Sequence, residues 1–221
     1  MKKKVRRLLA SLVYRIKIGK TMNTTVHVRV HRMPLTILPT VFNPSFFKSC
    51  NVFLKYLESL DLRDKNVLDA GTGSGVLGIA VSQMGARVTA IDINPAAVAC
   101  AQQNAQANGV NINALQSDWF SALSDNKYDV ILCNGPFIKG PPHPPFDITY
   151  YTGDHHELIS PFIDGFADHL APDGFALFML SSDADISWFI EQFISNNLKV
   201  QIAARKKYFF EEFMIIRVSR G

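Results

Sequence analysis

The first 60 residues carry several distinct hydrophobic patterns. Residues 2–17 place their apolar side chains on one helical face, so they predict an amphipathic helix. Residues 25–31 alternate valine with polar side chains, which predicts a strand with one buried face. Residues 35–42 could return beside that strand, and residues 45–60 predict a second helix.

Beyond residue 60, short apolar runs alternate regularly with longer helical segments. The predicted strands span residues 66–70, 87–92, 111–116, 128–133, 174–180, 198–203 and 209–218. The predicted helices span residues 76–84, 95–108, 155–170 and 185–196. This alternation is typical of an α/β fold, in which helices cover both faces of a doubly wound, mostly parallel sheet.

The last two predicted strands are separated by a short basic stretch at residues 205–207. A connection this short joins antiparallel strands, so it predicts a hairpin at one edge of the sheet. The chain therefore divides into a basic helix with a short β segment over residues 1–44 and an α/β domain over residues 45–221.

A glycine-rich turn, GTGSG at residues 71–75, lies between a predicted strand and the following helix. Glycines allow a sharp turn and a close approach to a ligand, and the helix N-terminus offers free N–H groups. Gly73 and Gly78 belong to a G-x-G-x-x-G pattern, and Asp92 lies nineteen residues after Gly73, where dinucleotide-binding proteins hold a ribose. The turn alone therefore fits either NAD or S-adenosylmethionine.

Three aspartates end or follow successive predicted strands. Asp69, directly before the glycines, would repel a pyrophosphate but attract the ammonium group of S-adenosylmethionine, directly or through water. Asp92 can accept from two ribose hydroxyls, and Asp118 from an adenine amino group flanked by Ile93 and Trp119. Each aspartate alone could instead be a helix cap or a turn residue. Because ligands bind at the carboxyl ends of strands in such sheets, the three together favour S-adenosylmethionine.

Three motifs then carry a family resemblance: DAGTGSG at residues 69–75, DINP at residues 92–95 and NGPF at residues 134–137. Together they resemble the class I S-adenosylmethionine-dependent methyltransferases. Within that class they are most similar to the small-domain group, which includes HemK-like release-factor glutamine methyltransferases and several rRNA base methyltransferases. The resemblance implies a Rossmann-like methyltransferase fold with a seven-stranded sheet, an antiparallel last strand, and S-adenosylmethionine as cofactor.

Motifs and resemblance together assign the cofactor site to ten residues, most of which lie at or just after strand ends. They are Asp69, Gly71, Thr72, Gly73, Gly75, Asp92, Ile93, Asp118, Trp119 and Asn134.

The NGPF motif predicts the catalytic residues, Asn134, Gly135, Pro136 and Phe137. The resembled family has Asn or Asp, Pro, Pro, then Tyr or Phe, and binds a planar nitrogen there. The side-chain oxygen of Asn134 and the carbonyl of Gly135 could each accept one N–H hydrogen bond, and Phe137 could stack on the planar group. Gly135 departs from the family pattern, which leaves the acceptor open among a protein glutamine amide, an RNA base amine and a small molecule.

Two further segments are candidates for the walls of the site. Residues 138–153 form a long loop containing four prolines, and such loops are commonly functional, so we expect a substrate lid or wall. Residues 42–47 resemble the family segment that precedes and covers the cofactor pocket, although core packing of Phe46 and Phe47 is equally expected.

The charge distribution separates the N-terminal part of the chain from the rest. Residues 1–57 contain twelve Lys or Arg and no Asp or Glu, although the net charge of the whole chain is only +4. Such a basic segment favours an acidic partner, so possible nucleic-acid contact, above all with RNA, is expected there, unless it is only a solvated helix.

The remaining composition narrows the class of protein. The three cysteines are too few and too scattered for a disulfide framework, so we expect reduced thiols and a cytoplasmic location. No apolar run is long enough for a transmembrane helix, and no spacing of His, Cys and acids suggests a metal site.

The sequence therefore predicts an N-methyltransferase that uses S-adenosylmethionine. Two alternatives stay open at this point. One is an NAD-dependent oxidoreductase, which the glycine pattern also fits. The other is a non-catalytic nucleic-acid-binding protein on a methyltransferase fold, which Gly135 and the basic N-terminus would explain.

Overall fold

A computed structural model of the protein describes residues 23–142, 150–208 and 211–221. The strands are β1 (Val26–Val30), β2 (Met33–Ile37), β3 (Asn66–Ala70), β4 (Arg87–Asp92), β5 (Asn113–Gln116), β6 (Tyr128–Cys133), β7 (Leu170–Ser181), β8 (Leu198–Tyr208) and β9 (Glu211–Arg220). The helices are α1 (Lys48–Leu57), α2 (Val76–Gln83), α3 (Pro95–Ala107), α4 (Ser160–Gly165) and α5 (Ile186–Ser195), with 3-10 turns at Pro44–Phe46 and Phe166–His169. The predicted helix over residues 2–17, with the RNA contact expected of it, lies outside the described residues.

Strands β3 to β9 form one seven-stranded sheet in the order β5-β4-β3-β6-β7-β9-β8. Strand β9 runs antiparallel to both of its neighbours, and every other pairing along the sheet is parallel. The predicted doubly wound sheet with an antiparallel edge hairpin is therefore confirmed. The strand order reverses between β3 and β6, and the carboxyl ends of these two strands open the crevice in which such sheets bind ligands.

The position of the edge hairpin differs from the sequence-based expectation. Residues 205–207 do not form the turn, because β8 continues to Tyr208 and the hairpin closes only after it. In this register Lys207 lies opposite Glu212, and a cross-strand pair of opposite charge supports the longer strand. A cluster of basic residues was therefore a misleading turn signal.

The predicted helix over residues 155–170 is much shorter than expected. Only residues 160–165 are α-helical, a 3-10 turn follows, and β7 begins at Leu170, four residues before the predicted strand. The backbone of His156 is left-handed, with φ of +61°, so a right-handed helix cannot pass through it. Pro161 then occupies the first turn of the helix, where its missing N–H costs nothing.

Each face of the sheet buries its own hydrophobic cluster. Successive residues of a strand point to opposite faces, so Val67 belongs to one cluster and Leu68 to the other. The first cluster contains apolar side chains of α1, α2 and α3 and of the β1–β2 hairpin. The second is rich in phenylalanine from α4, β7 and α5. Both faces are therefore covered, as expected of a parallel sheet.

The β1–β2 hairpin is attached to the sheet domain through a buried asparagine of α3. Asn104 accepts a hydrogen bond from the Thr36 backbone N–H at 2.7 Å and donates to the Thr36 carbonyl at 2.9 Å. Its amide also donates to the carbonyl of Ser74 at 2.9 Å, within the glycine-rich turn. The hairpin thus supports the turn, and the first hydrophobic cluster continues across the predicted boundary at residue 44.

Candidate functional site

A cavity of about 320 Å³ opens where β3, β4, β5 and β6 end. Its volume lies within the range of pockets that hold small ligands. Eleven of the predicted site residues line it: Asp69, Gly71, Thr72, Gly73, Asp92, Ile93, Asp118, Trp119, Asn134, Gly135 and Pro136. The tertiary fold therefore brings together residues that are spread over more than sixty positions of the sequence.

The two predicted site residues outside the lining are Gly75 and Phe137. Gly75 has φ of +82° and lies behind the turn, where an added Cβ would be 3.0 Å from the Cα of Ala101. Its lack of a side chain therefore lets α2 and α3 approach each other. Phe137 packs, partly buried, against the second hydrophobic cluster, so its predicted stacking on an acceptor stays a prediction.

Asp69 is completely buried at the end of β3. One of its oxygens, Oδ2, accepts hydrogen bonds from the Thr72 hydroxyl at 2.7 Å and from the Gly78 backbone N–H at 2.9 Å. Desolvation raises the pKa of Asp69 to about 6, because burial outweighs the stabilising effect of these two donors. A cationic ligand group in the cavity would favour the ionised carboxylate, as the ammonium of S-adenosylmethionine would.

Asp92 connects the glycine-rich turn to the next strand end. Its Oδ2 accepts from the Gly73 backbone N–H and its Oδ1 from the Asn94 backbone N–H, both at 2.9 Å. Burial raises the pKa of this carboxyl group, although the two backbone donors oppose that effect. Each carboxylate oxygen can accept more than one hydrogen bond, so both can still hold a ribose hydroxyl.

We expect Asp92→Ala to weaken S-adenosylmethionine binding about 10- to 100-fold. The change removes the charged acceptor of the two hydrogen bonds expected from the ribose hydroxyls. Asp118→Ala should have a smaller effect, because the Asp118 side chain is exposed. Isothermal titration calorimetry measures both dissociation constants, and Asp125→Ala, an exposed aspartate outside the cavity, serves as control. Normal binding by Asp92→Ala would show that the ribose lies elsewhere.

The far end of the cavity presents flat apolar surface. Ile93 lines it with 62% of its surface exposed, which is unusual for a large aliphatic side chain of a folded domain. Trp119 also lines the cavity, and its indole N–H donates to the carbonyl of Leu158 at 3.0 Å. This bond and a contact with Phe162 at 4.7 Å fix the indole plane. A planar ring such as adenine fits against these two side chains.

At the end of β6, Asn134, Gly135 and Pro136 line the cavity. Within the described parts of the chain, no hydrogen bond engages the side-chain amide of Asn134, although it is half-buried. A half-buried polar group without a hydrogen-bond partner in the described residues is available to a ligand. An amide can both donate and accept hydrogen bonds, so this side chain can bind a second substrate.

An aromatic wall, defined as Phe42, Phe47 and Tyr150, lies beside this end of the cavity. The ring centroids of Phe42 and Phe47 are 4.3 Å apart, and Tyr150 lies 5.1 Å from Phe47. Phe42 itself lines the cavity. Tyr150 is joined to the NGPF segment, because its carbonyl accepts from the Phe137 backbone N–H at 3.1 Å.

Several lining residues were missed by the sequence reasoning. Ser74 is the most informative, since its hydroxyl is buried and has no hydrogen-bond partner within the described residues. An unsatisfied hydroxyl at a cavity wall fits a polar ligand group. Its position in the glycine-rich turn was an available signal. The other missed lining residues include Thr40, Val41, Ser117, Glu157, Leu158 and Pro161, and little in the sequence distinguishes them.

The described residues contain no group of three or more His, Cys, Asp or Glu side chains that could hold a metal ion. None of their helices combines the length and apolar character needed to cross a membrane. The three cysteines are buried free thiols.

Comparison with known proteins identifies the family. The model of the methyltransferase small domain family matches residues 33–210. A Methanocaldococcus jannaschii protein named as a protein N5-glutamine methyltransferase is 32% identical over 199 residues, which cover 87% of this chain and 98% of the relative. The release factor glutamine methyltransferase of Salmonella typhimurium is 36% identical over 134 residues, 59% of this chain and 48% of that protein. The chain thus matches about half the length of this bacterial relative.

Solved structures show the same fold. A Thermus thermophilus 16S rRNA N2 G1207 methyltransferase, in complex with AdoMet and guanosine, has a TM-score of 0.68 at 23% identity, covering 89% of this chain and 50% of that one. The E. cuniculi Mtq2–Trm112 complex, responsible for methylation of the eRF1 termination factor, has a TM-score of 0.64 at 19% identity, covering 82% and 99%.

The family decides between the ligands that the glycine-rich turn allows. It excludes the NAD-dependent oxidoreductase and the non-catalytic alternatives, and the predicted methyltransferase is confirmed. The buried Asp69, the cavity-lining Asp92 and the unsatisfied Ser74 hydroxyl fit S-adenosylmethionine. The chain belongs to the methyltransferase small domain family and is an S-adenosylmethionine-dependent methyltransferase.

Proposed function

We propose that this methyltransferase acts on the side-chain amide nitrogen of a glutamine in a protein. The observation that carries the proposal is the half-buried amide of Asn134, which lines the cavity at the strand end where the family holds its acceptor. The archaeal relative named as a glutamine methyltransferase matches this chain along 98% of its own length, which supports the same acceptor.

The chemistry of an amide nitrogen explains why Asn134 is needed. Its lone pair is delocalised into the carbonyl, so the nitrogen is a poor nucleophile and has to be held in line with the methyl group. The Asn134 side-chain oxygen and the Gly135 carbonyl accept one N–H each. S-adenosylmethionine supplies a methyl group activated by a positive sulfur. As the N–C bond forms and the S–C bond breaks, the nitrogen loses one proton to water.

The backbone of Gly135, where the family has a proline, lies against the buried thiol of Cys133. Its backbone N–H is directed to the thiol of Cys133, whose pKa burial raises to about 12, so the sulfur stays protonated at neutral pH. A proline has no N–H and could not make this interaction. An added Cβ at Gly135 would also lie 3.3 Å from the Cys133 sulfur. The carbonyl that accepts from the substrate is unaffected by the change from proline to glycine.

The aromatic wall completes the acceptor site. An amide plane or a peptide segment can lie against Phe42, Phe47 and Tyr150, whose rings are held by one another at 4.3 to 5.6 Å. The wall supplies the apolar contact that Phe137 was predicted to provide, at a position that also borders the cofactor cavity.

The direct test is incubation with radiolabelled S-adenosylmethionine and purified acceptors. We expect label in a translation release factor, on a single glutamine, and none in a release factor in which that glutamine is replaced by asparagine. Ribosomal RNA and tRNA serve as competing acceptors. Label in RNA and none in the release factor would overturn the assignment to protein glutamine.

A further inference from the structure

A buried histidine outside the cavity links two distant segments of the chain. His156 is 1% exposed. Its Nδ1 lies 2.8 Å from the Thr152 hydroxyl oxygen, and its Nε2 lies 3.3 Å from Oδ2 of Asp185. The imidazole also stacks on Trp188, with ring centroids 4.0 Å apart. The left-handed backbone of His156 is unfavourable for a residue with a Cβ, so these contacts are what maintain it.

One end of this network reaches the acceptor site. The Thr152 hydroxyl donates to the Ile138 carbonyl at 3.2 Å, and the Thr152 backbone N–H donates to the same carbonyl at 2.8 Å. Ile138 follows Phe137 directly, and its own N–H donates to the Tyr150 carbonyl at 2.9 Å. The hydroxyl of Thr152 therefore adds a side-chain bond to the backbone hydrogen bonds, including those between Gly140 and Gly153, that join the two ends of the loop beside the NGPF motif.

The other end of the network is a helix cap. The Oδ1 atom of Asp185 accepts from the Trp188 backbone N–H at 3.4 Å at the start of α5. Desolvation raises the pKa of Asp185, but hydrogen bonds from His156 and Trp188 outweigh it and hold the pKa below its usual value. Asp185 is therefore ionised at neutral pH, and Lys139 approaches the same oxygen at 3.8 Å.

A hydroxyl, an imidazole and a carboxylate in sequence resemble a nucleophilic triad, but their burial excludes that role. Thr152 has no exposed surface, so no substrate atom can reach its hydroxyl. The group can act on the reaction only by positioning the segment to which it is bonded.

Counting hydrogens shows when the network is complete. The Thr152 hydroxyl has only one hydrogen. The network contains three contacts: the hydroxyl with the Ile138 carbonyl, the hydroxyl with Nδ1 of His156, and Nε2 of His156 with the carboxylate of Asp185. If only Nε2 is protonated, the hydroxyl must donate to Nδ1, and the bond to Ile138 is lost. If only Nδ1 is protonated, a lone pair on Nε2 faces the carboxylate of Asp185. The doubly protonated imidazolium alone satisfies all three contacts.

We propose that His156 is a positioning residue of the acceptor site, which holds Thr152, and through it Ile138, beside the NGPF motif. The proposal rests on the proposed function, because it takes the NGPF end of the cavity as the acceptor site. The charged groups facing it are Asp185 from α5 and Lys139 from the loop, with the exposed His155 and Glu157 beside it in the chain.

Hydrogen–deuterium exchange measures the positioning without any acceptor. Thr152→Val removes the hydroxyl at nearly constant shape, and His156→Asn keeps a side chain that tolerates the left-handed backbone. We expect exchange of peptides covering residues 137–140 and 150–153 to become about tenfold faster in both variants. Peptides covering β3 should be unchanged, and His155→Asn, a change of the exposed neighbour, should behave as wild type. Unchanged exchange in both Thr152→Val and His156→Asn would overturn the positioning role of His156.

Kinetics with the release factor adds a second readout. Both variants should raise KM for the acceptor about tenfold, with little change in the dissociation constant of S-adenosylmethionine. None of Thr152, His156 and Asp185 lines the cavity, and the backbone bond from the Leu158 N–H to the Thr152 carbonyl, which supports the segment that contacts Trp119, is kept in both variants. Equal weakening of both ligands would indicate general loss of structure and contradict the proposal. Failure of the release factor to accept a methyl group would remove the proposed function, whereas the exchange result would stand independently.

Discussion

Asn134→Ala is expected to lower kcat for methyl transfer about 10²- to 10³-fold, the usual effect of removing one positioned hydrogen-bond partner from a reacting centre. The side chain lines the cavity and has no competing bond within the described residues, so its oxygen is free to align the acceptor N–H. Steady-state rates at saturating S-adenosylmethionine measure the loss. The dissociation constant of the cofactor should change by less than about threefold, because the residues predicted to bind it are mainly Asp69, Asp92 and Trp119, which line the cavity at or after the ends of other strands.

Two comparisons make this result specific. Asn134→Asp keeps an oxygen acceptor and should retain more activity than Asn134→Ala. Asn126→Ala, a change of an exposed asparagine outside the cavity, should leave kcat unchanged. A variant Asn134→Ala that kept its kcat but lost cofactor affinity would place Asn134 in cofactor binding alone.

Asp69→Asn is expected to stabilise the ligand-free fold at pH 7.5 by about 1–3 kcal/mol. Burial raises the pKa of Asp69 from 3.8 to about 6, and a pKa unit corresponds to about 1.4 kcal/mol. The folded state binds the proton more tightly than the unfolded state, so the ionised carboxylate destabilises the fold above about pH 6, and this cost disappears as the pH falls towards 3.8. Thr72 and Gly78 both donate to Oδ2 of Asp69, and the side-chain oxygen of an asparagine can accept the same two hydrogen bonds.

The same change should weaken S-adenosylmethionine binding tenfold or more, because it removes the negative charge that faces the cationic end of the ligand. In the wild type, affinity should fall as the pH drops below about 6, since Asp69 must lose its proton before it attracts a cation. In Asp69→Asn, the affinity for S-adenosylmethionine should depend less on pH than in the wild type. The pH dependence that is left is attributed to Asp92, whose pKa is also raised.

Thermal denaturation and calorimetry at pH values from roughly one unit below to roughly two units above the folded pKa of about 6 measure both effects. Asp173→Asn, on an exposed aspartate, should change stability by less than about 0.5 kcal/mol. If Asp69→Asn were less stable than wild type at pH 7.5 and bound the cofactor normally, the buried carboxylate would be a structural residue and not part of the ligand site.

Much of the sheet could be predicted from hydrophobic pattern alone. The bounds of β3, β4 and β6 agree with the predicted residues at both ends. These three strands are buried on both faces, so their apolar runs are continuous and end at polar residues or glycine. The hydrophobic pattern marks these strands clearly, because the run of apolar residues is about as long as the strand itself.

Prediction was wrong where neighbouring segments, not local pattern, decide the conformation. Residues 205–207 read as a turn, but pairing with β9 extends β8 through them. Residues 155–159 read as helix, but the contacts of His156 with Thr152 and Asp185 hold a left-handed residue there. Asp185 lies 29 residues from His156, and the pairing of β8 with β9 depends on the hairpin, so the hydrophobic pattern of the segment itself does not contain the cause.

The sequence by itself determined the class of the fold and the strand ends at which the site residues lie, and it favoured S-adenosylmethionine over NAD. These features depend on local hydrophobic pattern and on glycines and aspartates that follow the strands. Only the tertiary structure decided what each residue does there. It buried Asp69 enough to raise its pKa, left the Asn134 amide without a partner in the described residues, turned Phe137 towards the second hydrophobic cluster and brought Phe42 and Tyr150 together. Burial, free hydrogen-bonding capacity and aromatic contact depend on distances between segments far apart in the chain, and these distances exist only once the sheet has formed.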